Sequence, residues 1–85
     1  MYYVYIIESL TSRRCYFGHT NDLDERLKAH NSGWNVSTKG RGPWQYIFQR
    51  PMNTLKEAVE FEKYLKTIRN KGYILKKYPQ YFLSK

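Results

Sequence analysis

Three charged or titratable side chains stand where helical spacing asks for apolar ones. Downstream of Thr20-Asn21, which reads as a helix N-cap, Leu23 and Leu27 lie four apart and should face a core. Arg26 and His30 are also four apart, and at roughly 100° per residue they fall on the same side as those leucines. Farther along, Leu55, Ala58, Val59, Phe61, Leu65 and Ile68 form the apolar stripe of a second helix, and Glu62 falls inside it. Lys56, Glu60, Lys63 and Thr67 already supply the solvent face. Burying an arginine, a histidine or a glutamate without a partner is costly. Two arrangements answer that cost: a structural Arg26–Glu62 pair at the core margin, or a cleft that holds a cation and an anion together.

The elements that must carry these residues follow from local pattern. Residues 2–7 are β-branched and aromatic and predict a strand buried on both faces. Tyr3, Tyr5 and Ile7 share one face, and Tyr2, Val4 and Ile6 share the other. Residues 8–13 are turn-like, and 14–19 predict a second strand paired to the first as an antiparallel hairpin. Gly18 inside that strand signals close approach of another backbone or a ligand. The first helix runs to about Asn31 and stops at Gly33, with Asp22, Asp24 and Glu25 in its first turn. Residues 32–43 read as a loop, 44–50 as a third strand, and 55–69 as a helix capped by Thr54 and ended by Lys71-Gly72. A short basic helix near 73–78 follows. The expected class is α+β: a small three-stranded antiparallel sheet flanked by helices, in the order β-β-α-β-α, as a single domain over residues 1–85.

The chain is 85 residues long with 15 Lys plus Arg against 7 Asp plus Glu, a net charge of +8. After Glu62 no acidic side chain remains, while Lys63, Lys66, Arg69, Lys71, Lys76, Lys77 and Lys85 follow. That asymmetry points to a polyanionic partner, nucleic acid ahead of anionic lipid, because the apolar positions are needed for the core. Aromatics at 18% argue against intrinsic disorder. No apolar run reaches the roughly 18–20 residues of a membrane span, and the N-terminus lacks a basic leader and a small-residue cleavage site, so a cytoplasmic chain is expected. The lone Cys15 supports neither a disulfide framework nor a structural zinc site.

The ordered set resembles the GIY-YIG nuclease family. Val4-Tyr5-Ile6 sits where that family has its first tripeptide, and Tyr16-Phe17-Gly18 matches the second, eleven residues on. The run from Thr20 to Leu27, followed by Ala29-His30-Asn31-Ser32-Gly33, is similar to the family's arginine-bearing helix. Thr38-Lys39 and Pro43-Trp44 resemble the approach to its third strand, and Glu57-Ala58 with Glu62-Lys63-Tyr64-Leu65-Lys66 resembles its glutamate-bearing helix. Val4 replaces the first glycine and Phe17 an isoleucine, hydrophobic variation that leaves the tyrosines and Gly18 in place. The likeness covers about residues 2–75 and is to short stand-alone bacterial members and to the nuclease domain of the bacterial repair excinuclease.

The resemblance implies a metal-dependent endonuclease that hydrolyses DNA phosphodiester bonds, in a setting such as repair or recombination. It implies catalytic roles for Tyr5, Tyr16, Arg26, His30 and Glu62. Glu62 would hold one Mg²⁺ or Mn²⁺ ion, and Arg26 would bind phosphate. Tyr5 would act as general base, its phenol brought down from about 10 by Arg26 and the metal. Tyr16 would orient water or phosphate, and His30 would hydrogen-bond a tyrosine or move a proton. Lys39, Arg41, Lys66, Arg69 and Lys71 are the candidate nucleic-acid contacts, Gly18 is the structural glycine, and His19 is an additional polar residue beside the motif that lines the cleft. DNA is the expected partner, with RNA as a second candidate and a homodimer or a targeting protein as further ones; no membrane is expected. The alternative is a non-catalytic nucleic-acid-binding domain that retains the nuclease fold.

Overall fold

A computed structural model describes residues 1–33 and 42–83. The elements run β1 (Tyr2–Ser9), β2 (Cys15–Thr20), α1 (Leu23–Asn31), β3 (Trp44–Met52), α2 (Leu55–Ile68) and α3 (Lys71–Lys77), followed by a 3-10 turn at Pro79–Tyr81. The three strands form one antiparallel sheet in the order β2-β1-β3. The α+β class and the element order match the sequence reading. Ser37, Thr38, Lys39, Gly40, Arg41 and Lys85 lie outside the described residues.

β1 is central, so it is covered on both faces, and Val4 to Ser9 are all buried. Its even residues Val4 and Ile6 pack with Phe17, Phe48, Ala58, Leu65 and Ile74 under α2 and α3. Its odd residues Tyr5 and Ile7 pack with Trp44, Tyr16, Tyr46 and the α1 leucines, Leu23 and Leu27. Two small cores therefore back onto one strand. At the hairpin, the Ser9 hydroxyl accepts from the N–H groups of Thr11 and Ser12, and Arg13 takes a left-handed conformation.

Several boundaries differ from those the sequence suggests, each for a local reason. The N-cap of α1 is Asp22, whose side chain accepts from Glu25 N, while Thr20 Oγ1 accepts from Asp22 N one step earlier. β3 continues through Pro51 to Met52, because an edge strand bonds a neighbour on one side and tolerates a missing N–H. Between Ile6 and Ile7 the β1–β3 register steps from Phe48 to Tyr46, so Ile47 is an extra, bulged residue. α2 does not reach Lys71-Gly72; it ends at Ile68, with Arg69 left-handed and its N–H on Leu65 O. Asn70 then caps α3, which contains Lys71 and Gly72, so those two residues open a helix instead of closing one. Leu55, assigned to the apolar stripe by spacing, is 47% exposed at the first position of α2.

α3 is tied to the sheet by charge as well as by Ile74. Glu8, 2% exposed at the end of β1, accepts from Lys71 Nζ at 2.6 Å and from Arg13 Nη1 at 3.4 Å. No helix among the described residues is long and apolar enough to cross a membrane. Removing Lys71 takes a 2.6 Å ion pair from a buried carboxylate, so Lys71→Met should cost about 1–2 kcal/mol in urea unfolding. Lys76→Met, at an exposed position nearby, should stay within about 0.5 kcal/mol.

Candidate active site

Tyr5 sits mid-way along the central strand, directly opposite Gly18 on β2. Its ring lies across that glycine: a Cβ at position 18 would fall 2.5 Å from Tyr5 Oη and 2.6 Å from Cζ. The close approach that an interior glycine signals is thus made by a phenol of the same chain. Passing over Gly18, Tyr5 Oη shares a 2.9 Å hydrogen bond with His30 Nε2. His30 is 2% exposed, the only buried residue of α1. Its ring is 5.0 Å from that of Tyr16, which lies two residues before Gly18 on the same face of β2.

α1 is fastened to β3 at both ends, which sets where His30 falls. Tyr46 Oη donates to the carbonyl of Leu23 at 2.6 Å in the first turn. In the last turn Asn31 holds the backbone of Trp44 twice: Oδ1 accepts from its N–H at 2.7 Å and Nδ2 donates to its carbonyl at 3.3 Å. The Tyr46 ring also meets Tyr5 edge-on at 5.4 Å. Sequence reasoning gives Tyr46 no role, since tyrosine is an ordinary strand residue; its only signal is membership of the third strand.

The electrostatics of this group differ from the expectation for Tyr5. Burial raises the Tyr5 phenol well above its ordinary range, outweighing the opposing pull of the Arg26 guanidinium. Tyr16, Tyr46 and the Glu62 carboxylate push it further the same way. Arg26 therefore acts in the expected direction without winning, and Tyr5 is a protonated phenol. Burial lowers the His30 imidazole, and Arg26 lowers it further, so His30 is neutral at pH 7. Tyr46 is pushed up by burial to about 12, against the pull of Arg26.

Arg26 itself is exposed on α1, beside a cleft of about 210 Å³ that it lines with Thr20, Asn21, Asp22, Glu25 and Ala29. Among the described residues no carboxylate pairs with its guanidinium. The structural Arg26–Glu62 pair is therefore not what occupies these residues. Glu62 instead reaches β2 from α2, on the opposite face of the sheet from Tyr5. Its Oε1 meets His19 Nδ1 at 2.5 Å and its Oε2 meets Lys66 Nζ, one helical turn on, at 2.7 Å. Burial raises the carboxyl, but the hydrogen bonds from Lys66 and His19 outweigh it, and Glu62 lies below its ordinary range as a stable carboxylate.

The donors present suit a hard, largely hydrated divalent ion. Glu62 is an ionised carboxylate with 14% side-chain exposure, and its neighbour Lys66 is a flexible side chain that can yield. Mg²⁺ commonly takes one or two carboxylates and keeps several waters. Among the described residues no three His, Cys, Asp or Glu side chains converge into an all-protein cage.

The candidate residues thus divide into one group and some outliers. Tyr5, Tyr16, Arg26 and His30 gather on the α1 face of β2, and Glu62 with Lys66 stands at the same strand from the other face. Arg69 turns back at the α2 C-terminus, its Nε donating to Lys66 O. Lys71 lies apart, paired with Glu8.

The GIY-YIG catalytic domain family matches residues 1–78. The UPF0213 protein CPE1444 of Clostridium perfringens is 38% identical over 69 residues, spanning 80% of this chain and 73% of that protein. The UPF0213 protein YazA of Bacillus subtilis is 42% identical over 57 residues, spanning 66% of this chain and 58% of that protein. The solution NMR structure of the UPF0213 protein BH0048 from Bacillus halodurans is similar with 36% identity and a TM-score of 0.48, covering 79% of this chain and 72% of its own. With the match running from the first residue of the chain to the end of α3, this protein belongs to the GIY-YIG nuclease-domain family, alongside the stand-alone UPF0213 proteins.

Proposed function

We propose that the chain is a divalent-metal-dependent endonuclease that hydrolyses phosphodiester bonds in DNA. The observation that carries this reading is the buried Tyr5–His30 hydrogen bond, set beside an arginine with no carboxylate partner among the described residues. A hydrogen-bonded phenol and neutral imidazole form a route for a proton. A guanidinium with no carboxylate beside it among the described residues is available to pair with a phosphate.

Each side chain then has a defined task. Arg26 binds the scissile phosphate and stabilises the charge that grows on its oxygens. Tyr5 is a poor phenolate, so it acts as a relay: its oxygen accepts a proton from the attacking water while its own proton passes to His30 Nε2. His30, kept neutral by burial and by Arg26, receives that proton at Nε2. Tyr16, packed on the His30 ring, orients water or phosphate. Glu62 holds a Mg²⁺ or Mn²⁺ ion, which when bound supplies Lewis-acid polarisation of phosphate oxygens. Lys66 and Arg69, followed by the acid-free segment beyond Glu62, attract the DNA backbone. Lys39 and Arg41 belong to the same basic set in sequence.

Nicked, flapped and branched duplexes, the intermediates of repair and recombination, are the substrates to screen first, with plain duplex and RNA as comparisons. Glu62→Ala should remove Mg²⁺-dependent cleavage, by at least about a hundredfold, while circular dichroism shows a folded chain. Undiminished cleavage by the folded variant would reject the metal role. Arg26→Ala should lower turnover by roughly 10²–10³-fold and shift DNA affinity far less, because the other basic residues still contact the backbone. Equal losses of binding and turnover would make Arg26 a binding residue only. The rate should stay level as pH falls from 8 past the ordinary histidine value near 6.5, then decline as His30 takes up a proton and can no longer accept one. A decline centred at or above 6.5 would contradict the role of His30.

A further inference from the structure

His19 is not needed by the steps above, yet it is the residue that touches Glu62 from the sheet. It lies next to Gly18 on β2, with its side chain on the α2 face, and its Nδ1 is 2.5 Å from Glu62 Oε1. The other carboxylate oxygen is taken by Lys66, so the two nitrogen partners of this corner are sorted, one to each oxygen. We propose that His19 is a second protein ligand of the divalent ion held by Glu62, forming a His–Glu pair that favours imidazole-accepting ions such as Mn²⁺ over Mg²⁺. The inference rests on the assignment of Glu62 as the metal-holding residue.

Three observations support it. First, the spacing is nearly that of two adjacent ligands: donors each about 2.1 Å from an ion and at right angles span about 3.0 Å, so Nδ1 and Oε1 need separate by only about half an ångström. Second, the two donors come from different rigid elements, an edge strand and a 14-residue helix, so their separation is set by the fold and not by a loop. Third, the corner is wet enough for the rest of a coordination shell, with side-chain exposures of 34% for His19 and 14% for Glu62. With the ring proton carried on Nε2, Nδ1 presents the in-plane lone pair through which an imidazole ligates a metal. Oxygen-only sites suit Mg²⁺, whereas an imidazole donor strengthens binding of first-row transition ions.

The test is Mn²⁺ binding to the intact chain without DNA, followed by electron paramagnetic resonance of the free ion, with Mg²⁺ as competitor. Wild type, His19→Gln, His19→Ala and Glu62→Gln are compared after circular dichroism confirms that each is folded. His19→Gln can still donate an amide hydrogen bond to Oε1 but lacks the aromatic nitrogen. Both His19 variants should bind Mn²⁺ at least about tenfold more weakly, with Mg²⁺ affinity changed far less. Electron spin-echo modulation of bound Mn²⁺ should show ¹⁴N coupling in wild type and none in His19→Gln. The chain has just two histidines, and His30 lies on the other face of the sheet, so that signal has one source. Wild-type affinity in His19→Gln, equal weakening of both ions, or a wild-type spectrum without nitrogen coupling would overturn the proposal while leaving Glu62 as metal ligand. Unchanged binding in Glu62→Gln, or no binding by wild type, would overturn it together with the metal assignment on which it rests.

Discussion

A tyrosine on the central strand reaches a histidine on a helix because the strand between them carries no side chain at the crossing point. Tyr5 and Gly18 are cross-strand partners, and the phenol occupies the space a methyl group at position 18 would fill. Any larger residue there would displace the ring, and with it the buried hydrogen bond that joins β1 to α1. The other end of that bond is equally constrained. Tyr46 holds the first turn of α1 and Asn31 holds the last, both against β3, so His30 is delivered to a fixed place by two attachments made outside the site. The geometry is a property of three strands and one short helix, held by contacts within the chain.

The edge strand β2 separates two environments. On the α1 face, Tyr5 and His30 are buried, and desolvation holds both in their neutral forms against or alongside the field of Arg26. On the α2 face, Glu62, His19 and Lys66 are partly exposed, and hydrogen bonds keep the carboxylate charged in spite of burial. The neutral pair suits proton movement and the charged cluster suits ions. Placing them on opposite sides of one strand keeps the carboxylate from pairing with Arg26 and cancelling it, while its charge still registers at Tyr5. Arg26 remains available to an anion from outside.

Much of this is legible in sequence because it violates a pattern. His30 and Glu62 interrupt apolar faces, and Gly18 interrupts a strand; each violation marks a contact. Spacing places Arg26 on the right face but says nothing of its exposure, since a long side chain on a short helix can leave the core it borders. What spacing hides are the partners. Nothing local says that His19 meets Glu62, 43 residues away, or that Lys71 is drawn to Glu8 instead of lying with Arg69. The break between α2 and α3 escapes a sequence reading because a left-handed arginine is uncommon, and Gly72 looks the better terminator. Tyr46 escapes it because an aromatic residue in a strand needs no special explanation.

The bulge at Ile47 has an effect beyond shaping β3. Its carbonyl accepts from Leu83 N at 2.9 Å, and Phe82 bridges to Phe48 beside it. Pro51, farther along the same strand, offers no N–H at all. A bare margin of a β-sheet is a template onto which another polypeptide can add, and long flat margins invite aggregation. Here the outer side of β3 is covered in its middle by the chain's own C-terminal residues and blunted toward its end by a proline. An incoming strand meets an interrupted ladder on that side, so a sheet of only three strands is shielded there from growing by the addition of its neighbours.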